Sequence, residues 1–408
     1  MAVSQVTIKY FKSIVDQTID LGQLNVFIGT NGSGKSNLLE AIGVLSCAMD
    51  GRIDYSKLAD RGARLSAPEV FRSSFKNLKR KTTFSLIARF GGLIYQGSIR
   101  ANDDAEFIFT KENIENANTL GERNKSVVTI PNFVDLAELN PQQSIVSTLE
   151  TLGQFNVTEL KEFKAIQRFA IYAPSTPILR GVSPDTSNRE PLGLYGGSLS
   201  SALADVVNDV HHPRNSSMPS ADNIRRFFVL LDWFKSVGTT DEISSQLQSK
   251  HLHTGKRVVS FTDKYMGEKF NNLYAYDVSE GALYILFILV LLLHKKAPPL
   301  FAVDNVDNAL NPGMVRQMMG HIIELLKVMP EKQVLMTTHN PTALDAVDLF
   351  NDQHRLFVVQ RNQYGHTEIE RIKPPLGFTR ESWVEKYGGM RLSEIWLSGL
   401  IGGLTTGF

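Results

Sequence analysis

The chain has 408 residues, 42% of them apolar and 21% charged, with a formal net charge of +1. This suits a soluble globular protein of two or three domains and excludes a global attraction to nucleic acid, so such binding would need a local patch. A single cysteine, Cys47, excludes an intramolecular disulfide framework and reads as a packed core thiol. The opening Met1-Ala2-Val3-Ser4-Gln5-Val6 has no basic region followed by an apolar one, and the longest strongly apolar run, Ala282–Leu293, falls short of the about 20 residues a membrane helix needs. The expectation is a cytoplasmic protein with no membrane span.

In chain order, Val3–Tyr10 alternates like a strand, and Phe11-Lys12-Ser13 turns the chain toward a second apolar strand, Leu24–Ile28. Then comes Gly29-Thr30-Asn31-Gly32-Ser33-Gly34-Lys35-Ser36, a complete G-x-x-x-x-G-K-S loop, and a helix beginning near Asn37. Strand, glycine-rich loop and helix form the context of a P-loop, whose backbone N–H groups converge on phosphate. The loop predicts a bound nucleoside triphosphate held by Gly29, Asn31, Gly32, Ser33, Gly34, Lys35, Ser36 and Asn37. Lys35 would reach the β- and γ-phosphates and Ser36 would meet Mg²⁺.

Residues 52–81 hold nine basic residues against three acidic ones. Two readings stay open there: a surface for DNA, RNA or an acidic partner, with Lys76, Lys79, Arg80 and Lys81 as contacts, or a solvated insertion. Thr82–Phe90 and Leu93–Arg100 flank Gly91-Gly92 as a hairpin. Ala105–Thr110 and Ser126–Ile130 extend the same antiparallel sheet, while acidic Asp103–Thr119 reads as an exposed loop. Residues 134–169 suggest a helical insert, and Ala165–Ala173 a strand returning to the core. A Pro-, Gly- and Ser-rich loop, Arg180–Gly197, precedes two helices, Ser198–Val210 and Asp222–Val237, separated by a His211-His212-Pro213 break and a linker from Asn215 to Ala221. His211-His212 and His251-x-His253 lack ligand-spaced partners and read as solvated, with no metal.

Asp277-Val278-Ser279-Glu280-Gly281 opens the buried helix 282–293, with Ser279 as its N-cap and a helix N-terminus suited to an anion. Leu300–Val303 is an apolar strand ending in Asp304, a Walker B arrangement in which the carboxylate orients the Mg²⁺ shell. Helix Pro312–Val328 and strand Val334–Thr338, ending in His339, complete a parallel α/β core.

The order of P-loop, Ser-x-Gly signature, Asp-ended strand and His-ended strand resembles the ABC/SMC-type ATPases. More narrowly, it resembles the short bacterial AAA-family ATPases related to RecF, the SMC-like break-repair ATPases and the OLD proteins. Phe11-Lys12-Ser13 and Tyr195-Gly196-Gly197-Ser198-Leu199 are similar to segments of these families, and Leu397-Ser398-Gly399-Leu400-Ile401-Gly402-Gly403 to the ending of some defence-system members. The likeness covers residues 1–45 and about 165–345. It implies an α/β P-loop NTPase of ABC-ATPase head type with an antiparallel β lobe and a helical insert. No sustained heptads are present, so no long coiled coil is expected. The implied parts are 1–50 (P-loop part of the head), 51–130 (basic insertion and β lobe), 131–165 (helical insert), 166–350 (rest of the head) and 351–408 (C-terminal strands and tail).

The resemblance further implies a homodimer around two ATP·Mg²⁺, each bound by one chain's P-loop and closed over by Ser279 and Gly281 of the other, with His339 near the γ-phosphate or attacking water. One residue departs from the pattern. The glutamate usual after the Walker B aspartate is Asn305, an amide that can orient water but takes no proton at neutral pH. ATP binding with slow or partner-dependent hydrolysis is expected, with Asp307 an alternative base. Residues 340–408 show no acidic pair at a strand end and nothing long enough for a Toprim nuclease, so a cutting activity would sit on another chain. The implied role is a sensor or scaffold subunit of an antiphage complex, similar to Septu, retron-associated or PARIS-like ATPases, with a separate effector nuclease or toxin. The alternative is a RecF- or SMC-like DNA repair ATPase; a transporter subunit is disfavoured by the β-rich and helical inserts.

Overall fold

The computed structural model describes residues 3–101, 107–131, 139–187, 189–211, 219, 221–243 and 257–401. His212-Pro213, most of the expected linker, His251-x-His253 and Gly402-Gly403 lie outside them. The chain forms two compact units, one of Met1–Ile171, Pro298–Val306 and Glu331–Phe408, the other of Tyr172–Ala297 and Asp307–Pro330.

The first unit begins with β1 (Gln5–Phe11), β2 (Ile14–Asp20) and β3 (Leu24–Ile28), then α1 (Lys35–Met49) and α2 (Tyr55–Asp60). Strands β4 (Phe84–Phe90), β5 (Leu93–Ala101), β6 (Phe107–Glu115), β7 (Thr119–Asn124) and β8 (Val127–Thr129) follow, then α3 (Ile145–Thr151), α4 (Val157–Gln167) and β9 (Ile171–Tyr172). The second unit holds α5 (Thr176–Leu179), α6 (Leu199–His211), α7 (Ala221–Phe228), β10 (Phe234–Thr240), β11 (Val258–Asp263), β12 (Asn272–Tyr274) and α8 (Glu280–Leu293). The chain returns with β13 (Leu300–Val303), adds α9 (Pro312–Val328) to the second unit, and finishes with β14 (Gln333–Thr338), β15 (His354–Arg361), β16 (Thr367–Ile372), α10 (Arg380–Lys386) and α11 (Leu392–Leu397).

Two sheets build the first unit: an antiparallel one in the order β2-β1-β4-β5-β6-β7-β8, and a mainly parallel one in the order β16-β15-β3-β14-β13-β9. Every residue of α1 from Leu38 to Met49 is buried. Their side chains join those of both sheets in one core, and Cys47 is among them. A helix apolar around most of its circumference, its one buried carboxylate Glu40 paired with Lys12 and Arg64, needs cover on all sides, which places it in the interior. In the parallel sheet β3 is central, between β14 and β15, and Phe27 stacks on Phe357 of β15 with ring centroids 4.8 Å apart. In the second unit Gly281 to Leu293 of α8 is wholly buried. Among the described residues no helix is long and apolar enough to cross a membrane, and none exceeds the 17 residues of α9.

Several elements differ from expectation. The hairpin about Gly91-Gly92 is present, but the expected loop Asp103–Thr119 contains β6. Its apolar Phe107, Phe109 and Ile114 face the core, and its one inward carboxylate, Glu112, is neutralised by fully buried Arg123 at 2.9 Å. The helix expected over Asp222–Val237 stops at Phe228. Beyond it Trp233 and Phe234 each pack on Phe261 at 5.6 Å, so cross-strand aromatic contacts override the helical period. The returning strand shrinks to β9 because α4, fixed by an Asn156–Glu159 capping box, runs on to Gln167.

Candidate functional site

Between β3 and α1 the loop passes too close to its neighbours for side chains. A Cβ on Gly29 would lie 2.1 Å from the Val359 carbonyl, and one on Gly34, at φ +116°, 2.1 Å from Thr367 Oγ1. Only glycine fits both positions. Helix α1 then starts at Lys35 with no side-chain cap and no acidic residue in its first turn, leaving its positive end to an anion.

Lys35 is buried, its ammonium donating to the carbonyls of Gly29 (2.8 Å) and Thr30 (3.0 Å) and lying 3.4 Å from His339 Nδ1. An ammonium only donates, so the ring meets it through an unprotonated Nδ1. The Ser36 hydroxyl donates to Asp304 Oδ2 at 3.0 Å. Thr337 Oγ1, on the neighbouring strand β14, donates to the other carboxylate oxygen at 2.5 Å and accepts from the Asn305 N–H at 2.8 Å. Asn305 is exposed and takes a left-handed backbone, φ +56°.

A cleft of about 320 Å³ is lined by Asn31, Gly32, Ser33, Gly34, Lys35, Ser36, Asn37, Arg64, Asn305, His339 and Arg361. The predicted P-loop residues from Asn31 to Asn37, Asn305 and His339 thus come together, with Asp304 joined to them through Ser36 and Gly29 through Lys35. Two arginines of the cleft carried no signal of their own in the sequence. Arg64 donates to Asn37 Oδ1 at 2.6 Å and pairs with Glu40, a buried carboxylate that also binds Lys12. Burial holds the Lys12 pKa below the ordinary lysine value, partly offset by Glu40. Arg361 donates to the Gly32 carbonyl at 2.9 Å. Behind the loop, Asn37 Nδ2 donates to Ser13 Oγ (2.6 Å), Ser13 and Thr367 hydroxyls meet at 2.7 Å, and Thr367 donates to the Ser33 carbonyl at 2.8 Å. Since Thr367 spends its one proton on that carbonyl, Ser13 is the donor between the two.

The cleft fits a magnesium nucleotide in its donor chemistry: a hydroxyl and a carboxylate in mutual contact are the hard oxygen ligands Mg²⁺ takes, beside an uncapped helix start and three cationic side chains.

A family model described as an AAA domain of the AbiEii toxin kind, type IV toxin–antitoxin system, matches residues 24–345. The chain belongs to this AAA family. Among solved structures this AAA protein is similar to an SMC head crystallised with the C-terminal winged-helix domain of ScpA, with TM-score 0.54 and 12% identity over 91% of this chain and 98% of that one. The SMC head domain of Thermotoga maritima aligns with TM-score 0.46 and 14% identity over 92% and 100% of the two chains. No curated protein matches the AAA protein. It shares the fold of that SMC head.

Ser279 and Gly281, expected as signature residues, sit in the second unit. Ser279 caps α8, its Oγ accepting from the Ala282 N–H at 3.4 Å, and Glu280 accepts from the Thr176 hydroxyl. A Cβ on Gly281 would come within 3.2 Å of the Ala309 carbonyl and of Leu310 Cδ2. Asp307 lies in the same unit. The basic segment is less uniform than its sequence. Arg52, Lys57, Arg61, Arg64, Arg72 and Arg80 are each paired with a carboxylate of the same chain, and Arg61 is buried. Lys81 lies over the Tyr10 ring at 5.6 Å, while Lys76 and Lys79 are exposed and form no ion pair among the described residues. The open cationic surface is therefore a few lysines rather than the whole of 52–81.

Proposed function

We propose that this chain binds ATP·Mg²⁺ in the cleft between the P-loop and the Asp304–His339 edge, dimerises around it, and hydrolyses it slowly. The observation that carries this reading is the joined set Lys35, Ser36, Asp304 and His339, with Asn305 where a general base usually stands. Lys35 would release its P-loop carbonyls to meet the β- and γ-phosphates, and Ser36 and Asp304 would share the metal. Bound Mg²⁺ would supply charge neutralisation at the phosphates. Asn305 and His339 would orient water without removing its proton. The signature Ser279 and Gly281 would close the partner's nucleotide, so that occupancy controls assembly.

A slowly discharged switch suits a subunit that holds a complex together. The family description names a type IV toxin–antitoxin system; the slow switch within such a system favours a sensor or scaffold role in bacterial defence with a separate effector, nuclease or toxin. Light scattering tests it: ATP·Mg²⁺ converts the wild type to a dimer, while Lys35→Ala stays as it was; a wild type unmoved by ATP refutes the reading. The exposed Lys76 and Lys79 support the alternative, an SMC-like DNA repair ATPase, which predicts phosphate release that rises severalfold on adding duplex DNA.

A further inference from the structure

We infer that Thr337 is the positioning residue of this site, its one hydroxyl setting both the metal-facing carboxylate of Asp304 and the backbone of Asn305. The inference rests on the ATP·Mg²⁺ reading above.

Thr337 is completely buried on β14, and its β-branched side chain has little rotamer freedom there. Its Oγ1 accepts the Asn305 N–H at 2.8 Å, so its proton goes to Asp304 Oδ1 at 2.5 Å. Its carbonyl accepts the Val306 N–H at 2.9 Å. Three bonds from one residue thus fix the turn 304–306, and with Oδ1 occupied, Oδ2 is the oxygen left facing Ser36 at 3.0 Å. A carboxylate whose second oxygen is tied down presents the first to a metal at no cost in rearrangement. The same hydroxyl holds Asn305 in its left-handed conformation.

Binding of a fluorescent ATP analogue, titrated with Mg²⁺, reads this without turnover. Thr337→Val keeps the side-chain shape and removes the hydroxyl. It is expected to raise the Mg²⁺ midpoint about tenfold or more, as loss of an outer-shell partner does, and to leave metal-free nucleotide binding unchanged. Thr337→Ser keeps donor and acceptor and is expected to stay near the wild-type midpoint. The Thr337→Ser and Thr337→Ala pair repeats the comparison without the added methyl. In an Asp304→Ala background, Thr337→Val should change nothing further. A wild-type midpoint in Thr337→Val or Thr337→Ala, or a serine variant shifted as far as either, overturns the assignment. A wild type that binds the analogue no better than Lys35→Ala refutes the nucleotide reading itself, before any Thr337 comparison is made.

Discussion

Asn305→Glu sets a structural cost against a chemical gain at one position. Residue 305 has φ +56°, where asparagine is tolerated and most longer side chains are not. The turn is held to Thr337 by the Asn305 N–H at 2.8 Å and the Val306 N–H at 2.9 Å, so the backbone has little room to relax. Glutamate there should cost about 1 kcal/mol, which lowers the apparent Tm by about 1–2 °C. A carboxylate, however, can accept the proton of attacking water, worth about 10²–10⁴ in rate, or about 3–5 kcal/mol of barrier. The strain is carried equally by bound substrate and transition state, so it subtracts from stability and not from the acceleration. Phosphate release at saturating ATP should therefore rise at least about 100-fold in Asn305→Glu. Lys35→Ala should abolish the gain, and Asn305→Gly should match or exceed wild-type Tm without it. A wild type already turning over at about 1–10³ s⁻¹, or an Asn305→Glu variant that binds ATP yet is no faster, refutes the reasoning.

Gly34→Ala forces a Cβ to 2.1 Å from Thr367 Oγ1 at φ +116°; loss of measurable ATP binding by calorimetry is expected, and wild-type affinity would contradict the packing argument. Gly281→Ala meets the Ala309 carbonyl at 3.2 Å, so binding of ATP should persist while ATP-driven dimerisation, read by light scattering, is lost. Burial lowers the Lys332 pKa from 10.5 to about 8. The folded state then binds this proton less tightly than the unfolded chain, so the site destabilises the protein below pH 8 and stability recovers as pH rises from 8 toward 10.5. Lys332→Met should be the more stable protein at pH 7 in urea melts, with its advantage shrinking over that window; a constant difference would rule this out.

The P-loop, Walker B strand, α8 and the His-ended strand were legible because each couples a short apolar run to a residue type with little substitute: glycine at a close approach, aspartate or histidine at a strand end. What stayed hidden was held by partners distant in sequence. Arg64 sits among eight other basic residues, and nothing local separates it from Arg61, which is buried instead. Thr337 and Thr367 look like ordinary strand threonines until the sheet places them beside Asp304 and Ser33. Strand β7 (Thr-Leu-Gly-Glu-Arg-Asn) is polar because its buried Arg123 is satisfied by Glu112 across the sheet, a pairing that local propensity does not register.

The central position of β3 has a consequence for how the protein is made. Its two neighbours are β14 and β15, and the loop that follows it leans on Thr367, 334 residues beyond Ser33. At about 5–20 residues per second, the ribosome leaves Leu24–Ile28 without either neighbour for tens of seconds. A bare apolar strand with two open edges invites pairing with other chains, so this segment should be the chain's main reliance on chaperones. The P-loop therefore waits for Thr367 before its own hydrogen bonds are complete, so its final shape should form late.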